Sequence, residues 1–179
     1  MTMAPSLNEF THMLTVAEIG HHRDVSLTAN DAERAAIAKR LGLIELKSFS
    51  VEAKLTSIAG GIGAAGRIQA AVVQNCAATA LPVAARISES FDLRFLRDLD
   101  NQQFSEEEEV EITGEDCELI PLEQERIDIA EAAVQTLSLA LDPFPRHADA
   151  DRILAEKGIL TEAEAGPFAA LAALKGKKS

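Results

Sequence analysis

The chain has 179 residues, is 47% hydrophobic and carries a formal net charge of −12. It holds enough apolar material for a core, yet no apolar run approaches the roughly 18 residues that cross a bilayer. Neither Trp nor Tyr occurs, and the seven Phe are too few to suggest aromatic platforms for single-stranded nucleic acid.

Residues 1–9 read as a loose tail. They lack the basic, apolar and small-residue order of a secretory signal. Cys76 and Cys117 are too sparse for a disulfide framework, so both read as free thiols and the protein as cytoplasmic. Residues 10–174 are expected to form a single α+β domain, with an acidic loop over about 97–116 and a basic tail at 175–179.

Phe10 to Val16 alternates apolar and polar, which predicts a strand. Glu18 to Asp24, which contains Gly20, His21, His22 and Arg23, reads as a turn and Val25 to Ala29 as a second strand. Asn30 with Glu33 is a capping pair opening a helix, and Gly42 sits where a left-handed C-terminal cap belongs. From Leu43 to Gln74 the period becomes two. Phe49, Val51, Ala53 and Leu55 define one strand, with an irregularity near Ser48. Ile68, Ala70 and Val72 define the next, and the glycines from Gly60 to Gly66 read as the turn between them. Val83–Ile87 and Phe91–Phe95 alternate in turn. Short connections between successive strands imply a curved antiparallel β-sheet, with barrel-like closure as one form of it, carrying two or three helices. Cys117 to Leu122 would add an edge strand, since Pro121 cannot serve a central one. Asp128 and Glu131 cap the clearest helix, which stops before Pro143. Residues 148–160 hold one weak helical turn. A last helix is expected over Pro167–Leu174, with Thr161 and Glu164 as a further capping pair.

The charge is unevenly distributed. Between Asp98 and Glu131 there are 14 acids and one base, a balance of −13, while the remaining residues balance at +1. Local patches rather than the overall charge therefore decide what the surface can bind.

No arrangement of residues predicts catalysis. The Gly60–Gly66 run lacks the Gly-Lys-Ser/Thr ending of a phosphate loop and joins two strands. His12, His21, His22 and His147 do not show metal-ligand spacing, and Cys76 has no CxxC partner. No G-x-S-x-G elbow occurs, and the carboxylates of 106–118 lie in a polar run that would not raise a pKa. The chain is expected to be non-enzymatic, with no cofactor and no metal. The basic residues carry more information. Arg86 and Arg94 alternate with apolar neighbours and point away from the core. With Arg67 and Arg97 they could contact phosphates from an outer sheet face. Arg146 and His147 follow the stiff Pro143-Phe144-Pro145 segment and form a second candidate pair.

Three ordered stretches carry a family resemblance. They are Gly66-Arg67-Ile68-Gln69-Ala70-Ala71-Val72-Val73-Gln74-Asn75-Cys76, continuing through Leu81-Pro82-Val83 to Ile87-Ser88-Glu89-Ser90-Phe91; Ile127-Asp128-Ile129-Ala130-Glu131, running on to Leu139-Ala140-Leu141-Asp142-Pro143-Phe144-Pro145-Arg146-His147; and Gly166-Pro167-Phe168-Ala169-Ala170-Leu171. Together they resemble the YceD family of large ribosomal RNA subunit accumulation proteins, in its alphaproteobacterial form. The resemblance implies a role in accumulation or processing of 23S ribosomal RNA and no catalytic activity. Members of that family in other bacteria often carry two closely spaced cysteines where this chain has Gln74 and Cys76.

Two modes of action fit these readings. In one, Arg67, Arg86, Arg94, Arg97, Arg146 and His147 contact ribosomal RNA or its precursor. In the other, Glu106, Glu107, Glu108, Glu109 and Glu111 form a polyanionic surface that escorts a basic ribosomal protein. No membrane partner is expected.

Overall fold

The computed structural model describes residues 9–97 and 118–158. The tail before Glu9, the acidic run Glu106–Glu109 with Glu111, and the expected cap and helix after residue 160 lie outside the described residues. In chain order the elements are β1 (Met13–Thr15), α1 (Val16–Ile19), β2 (His22–Thr28), α2 (Asp31–Arg40), β3 (Glu45–Ile58), β4 (Gly61–Asn75), β5 (Pro82–Leu96), β6 (Glu118–Pro121), β7 (Arg126–Asp128), α3 (Ile129–Ala140) and α4 (Ala150–Glu156). The fold is α+β. Strands β2-β3-β4-β5-β6 form an open five-stranded sheet, and β1 pairs with β7. Among the described residues no barrel closes, because β2 and β6 are the edges of the sheet. Pairing is antiparallel for β2–β3 and β3–β4, whereas β6 runs parallel to β5. Among the described residues, no helix is long and apolar enough to cross a membrane.

Backbone packing divides the chain into two compact units. One comprises Met1–Val73 and Ala84–Leu141; the other comprises Gln74–Val83 and Asp142–Ser179. The core of the first unit is built by alternation. Phe49, Val51 and Leu55 of β3 and Ile62, Ile68 and Val72 of β4 are at most 1% exposed, while Glu52, Lys54 and Thr56 face solvent. Leu46 and Phe49 are both buried although three positions apart, which strict alternation forbids. A bulge resolves this: Leu46 pairs with Val72 and Ser48 with Ala71. One extra residue, Lys47, re-phases the strand so that both apolar side chains face inward. The Phe10 ring packs edge-on against Phe49, with centroids 5.7 Å apart.

The helices follow their caps. The Asn30 side chain accepts from the Glu33 amide at 3.0 Å and the Glu33 carboxylate accepts from the Asn30 amide at 2.7 Å, a complete capping box. Gly42, at φ +66°, ends α2, and the Leu43 amide donates to the Ala38 carbonyl. Thr15 and Glu18 form a second box. It converts the end of the expected 10–16 strand into the turn of α1, leaving β1 three residues long. His22 and Arg23, expected in a turn, lie in β2. Asp128 caps α3 through the Glu131 amide at 3.1 Å. The Glu131 carboxylate is engaged elsewhere, accepting two hydrogen bonds from Arg40 at 2.6 and 2.8 Å. It thereby ties the end of α2 to the start of α3, whose residues Ile129, Ala133 and Leu137 are fully buried.

The glycine run differs from its sequence reading. Only Ala59 and Gly60 form the turn, with Gly60 at φ +80°, and Gly61, Gly63 and Gly66 belong to β4. Two of them are required by close approach. A Cβ on Gly61 would overlap the Phe95 carbonyl of β5, and one on Gly66 would overlap the Glu52 carbonyl and meet the Phe91 ring edge at 2.7 Å. Gly63 has only ordinary contacts around it. The runs 83–87 and 91–95 are one continuous strand, β5, because their inward positions share parity.

Gly61→Ala is expected to lower unfolding free energy by roughly 2 kcal/mol or more, and Gly63→Ala to leave it within about 0.5 kcal/mol, as read by urea denaturation. Arg40 holds the Glu131 carboxyl below its ordinary range, chiefly by hydrogen bonding. A carboxyl lowered on folding stabilises above its unfolded pKa, and that contribution is lost as pH falls through the lower folded value. An Arg40→Ala/Glu131→Ala double-mutant cycle should give a coupling of about 1 kcal/mol at neutral pH. The coupling should vanish in acid.

Candidate nucleic-acid interface

The outer face of the five-stranded sheet is built by the strand registers. Asp24 of β2 pairs with Lys54 of β3, which pairs with Ala65 of β4; Ser26 pairs with Glu52, which pairs with Arg67. Arg86, Asp92 and Arg94 are exposed on β5. Lys54, Thr56, Gly63, Ala65, Asp92 and Arg94 line a shallow depression of about 420 Å³. Its floor is low because Gly63 and Ala65 offer no bulk. Lysine and arginine on its walls can meet a phosphate, while Asp92 sets a limit on how much negative charge fits.

The structure thus brings Arg67, Arg86 and Arg94 to the solvent face of neighbouring strands, as alternation predicts. The face is mixed in sign, however, since Glu52 stands opposite Arg67 and Asp92 lies two positions before Arg94. Lys54 went unrecognised in the sequence reading, although its alternation with Ala53 and Leu55 carried the same signal. Arg97 has a different setting. Its guanidinium donates two hydrogen bonds to Glu125 at 2.6 and 2.7 Å, holding that carboxyl below its ordinary pKa. Glu125 and Gln124 occupy the left-handed region, at φ +57° and +52°, in the turn before β7. Arg97 is therefore a clamp on a conformation that non-glycine residues adopt only when held there.

Arg146 and His147 lie in the second unit, and both have partners within it. Arg146 pairs with Asp151. His147 accepts the Asp149 amide on Nδ1 at 3.1 Å. The His147 amide donates to Cys76 Sγ at 3.3 Å, a contact invisible in the sequence because 71 positions separate the two residues. Cys76 is buried at 3% exposure. Its thiol pKa is lowered to about 7, first by hydrogen bonding from the Thr79 side chain and then by the His147 amide. The neighbouring Ala78 and Thr79 amides add to this. Hydrogen bonds donated to the sulfur favour its thiolate form. Among the described residues, no group of three His, Cys, Asp or Glu is placed to hold a metal ion.

In a Cys117→Ser background, the alkylation rate of Cys76 should titrate with a midpoint near 7, and Thr79→Val should move the midpoint upward. A midpoint unchanged by Thr79→Val would remove the hydroxyl as the cause.

The family model described as large ribosomal RNA subunit accumulation protein YceD matches residues 64–175. No curated protein matches the chain, and no solved structure does. The matched span runs from early β4 through the outer-face arginines, α3 and the Cys76–His147 contact, well over half of the sequence. The chain belongs to the YceD family.

Proposed function

We propose that this protein is a non-enzymatic cytoplasmic factor promoting accumulation or processing of 23S ribosomal RNA in large-subunit assembly. It would act by binding that RNA or an assembly intermediate. The observation that carries the proposal is family membership, since the family description names large ribosomal RNA subunit accumulation. Arg67 and Arg86, both exposed, supply phosphate contacts from the outer sheet face. The opposing Glu52 does not prevent this, because exposed ion pairs contribute only about 0–1 kcal/mol and a phosphate can displace them. Arg97 and Arg146 have their own carboxylate partners and contribute less.

A second reading is favoured by the balance of −13 between Asp98 and Glu131. In it, the acidic run at Glu106–Glu109 and Glu111 escorts a basic ribosomal protein by imitating a polyanion.

A tagged pull-down from native cells, with and without RNase, separates the two. Direct RNA binding predicts large-subunit RNA in the eluate, reproduced with purified components and weakened by salt. Arg67→Glu with Arg86→Glu should reduce this binding about tenfold or more. Unchanged binding would remove the outer face from the proposal. A basic ribosomal protein retained after RNase would favour the escort.

A further inference from the structure

Of the five Phe among the described residues, Phe10, Phe49, Phe91 and Phe95 are buried, whereas Phe144 is 77% exposed. The loop that carries it is nevertheless held at every step. Pro143 and Pro145 fix their own φ angles. The Phe144 amide donates to the Asp142 carboxylate at 2.9 Å, and Gln74 Nε2 donates to the Asp142 carbonyl at 3.0 Å. The Ala77 amide donates to the Pro145 carbonyl at 2.8 Å, and Pro145 itself is buried. The His147 amide is fixed on Cys76. An exposed phenyl ring on so constrained a backbone loses little freedom when it docks. This is the property that separates interface anchors from ordinary exposed apolar residues.

The charges beside the ring indicate what it docks against. Asp142 is exposed, and its carboxylate accepts a hydrogen bond from the Phe144 backbone amide. The nearest cation in sequence, Arg146, is occupied by Asp151. A polyanion such as RNA brought to Phe144 would meet the exposed Asp142 carboxylate, an unfavourable pairing of like charge. A protein pocket that takes the ring and offers a cation at its mouth would meet that carboxylate favourably. We propose that Phe144 is the anchor of a protein-docking surface. Its partner is a basic protein presenting an apolar pocket for the phenyl ring, rimmed by Lys or Arg that pairs with Asp142. The inference rests on the functional reading above only in where the partner is sought, among proteins of the large subunit.

The chain contains neither Trp nor Tyr, so Phe144→Trp introduces its sole indole. Difference emission against the wild-type chain cancels fluorescence from any added protein. The probes are salt-extracted total protein of purified large subunits and protein-free large-subunit RNA. Leu139→Trp, at a position 78% exposed on α3, serves as the control. The expected result is a blue shift with the protein fraction, no change with RNA and no shift at position 139. Quenching by RNA, an equal shift at position 139, or unchanged emission with both probes would each overturn the inference. In a second arm, wild-type and Phe144→Ala chains are sedimented with large-subunit particles. The variant should lose at least about tenfold in association at an unchanged thermal midpoint, as for loss of an interface anchor. Full retention of the variant overturns the docking surface and leaves the functional reading standing. Failure of the wild-type chain to sediment overturns that reading and this inference together.

Discussion

The register of β3 against β4 is the constraint on which the rest of the first unit depends. The two strands pair from Glu45–Val73 to Ile58–Gly61, and a one-residue slip would exchange every buried side chain for a solvated one. Three features lock the register. Gly60 allows the tight reversal at one end, the Lys47 bulge re-phases the other, and Gly66 admits the Phe91 ring edge in between. Outer-face chemistry follows from this pairing, because it sets Lys54 beside Ala65 and Glu52 beside Arg67.

A second layer of order comes from guanidinium–carboxylate clamps. Arg40 with Glu131 joins two helix ends, and Arg97 with Glu125 holds a left-handed turn. Both pairs are bidentate, a geometry that only arginine supplies. The cations of this chain thus divide by task. Arg40 and Arg97 are committed to joining helices and holding a turn, while Arg67 and Arg86 are exposed in mid-strand on the outer face.

Much of this was legible in the sequence. Alternation located β3, β4 and β5 and pointed Arg86 and Arg94 outward, the Asn30–Glu33 box opened α2, and Pro121 marked β6 as an edge. What escaped legibility depended on distant partners. Gly61 and Gly66 look like turn residues until β5 lies against them. Glu131 looks like half of a capping box until Arg40 arrives from 91 positions away. Arg97 and Arg146 look like free cations until their carboxylates are located. Local pattern gives the direction a side chain points, and only the assembled chain says whether something meets it there.

The parallel placement of β6 carries a consequence for the acidic connection. Leu93 is in register with Glu118 and Leu96 with Pro121. The chain leaving Leu96 therefore needs to travel back only roughly 10 Å along the sheet. It uses residues 97–117 to do so, far more than that distance demands. Closing a longer loop costs conformational entropy, about 0.6 kcal/mol for each doubling of length. The strand registers alone therefore do not require a connection of this length.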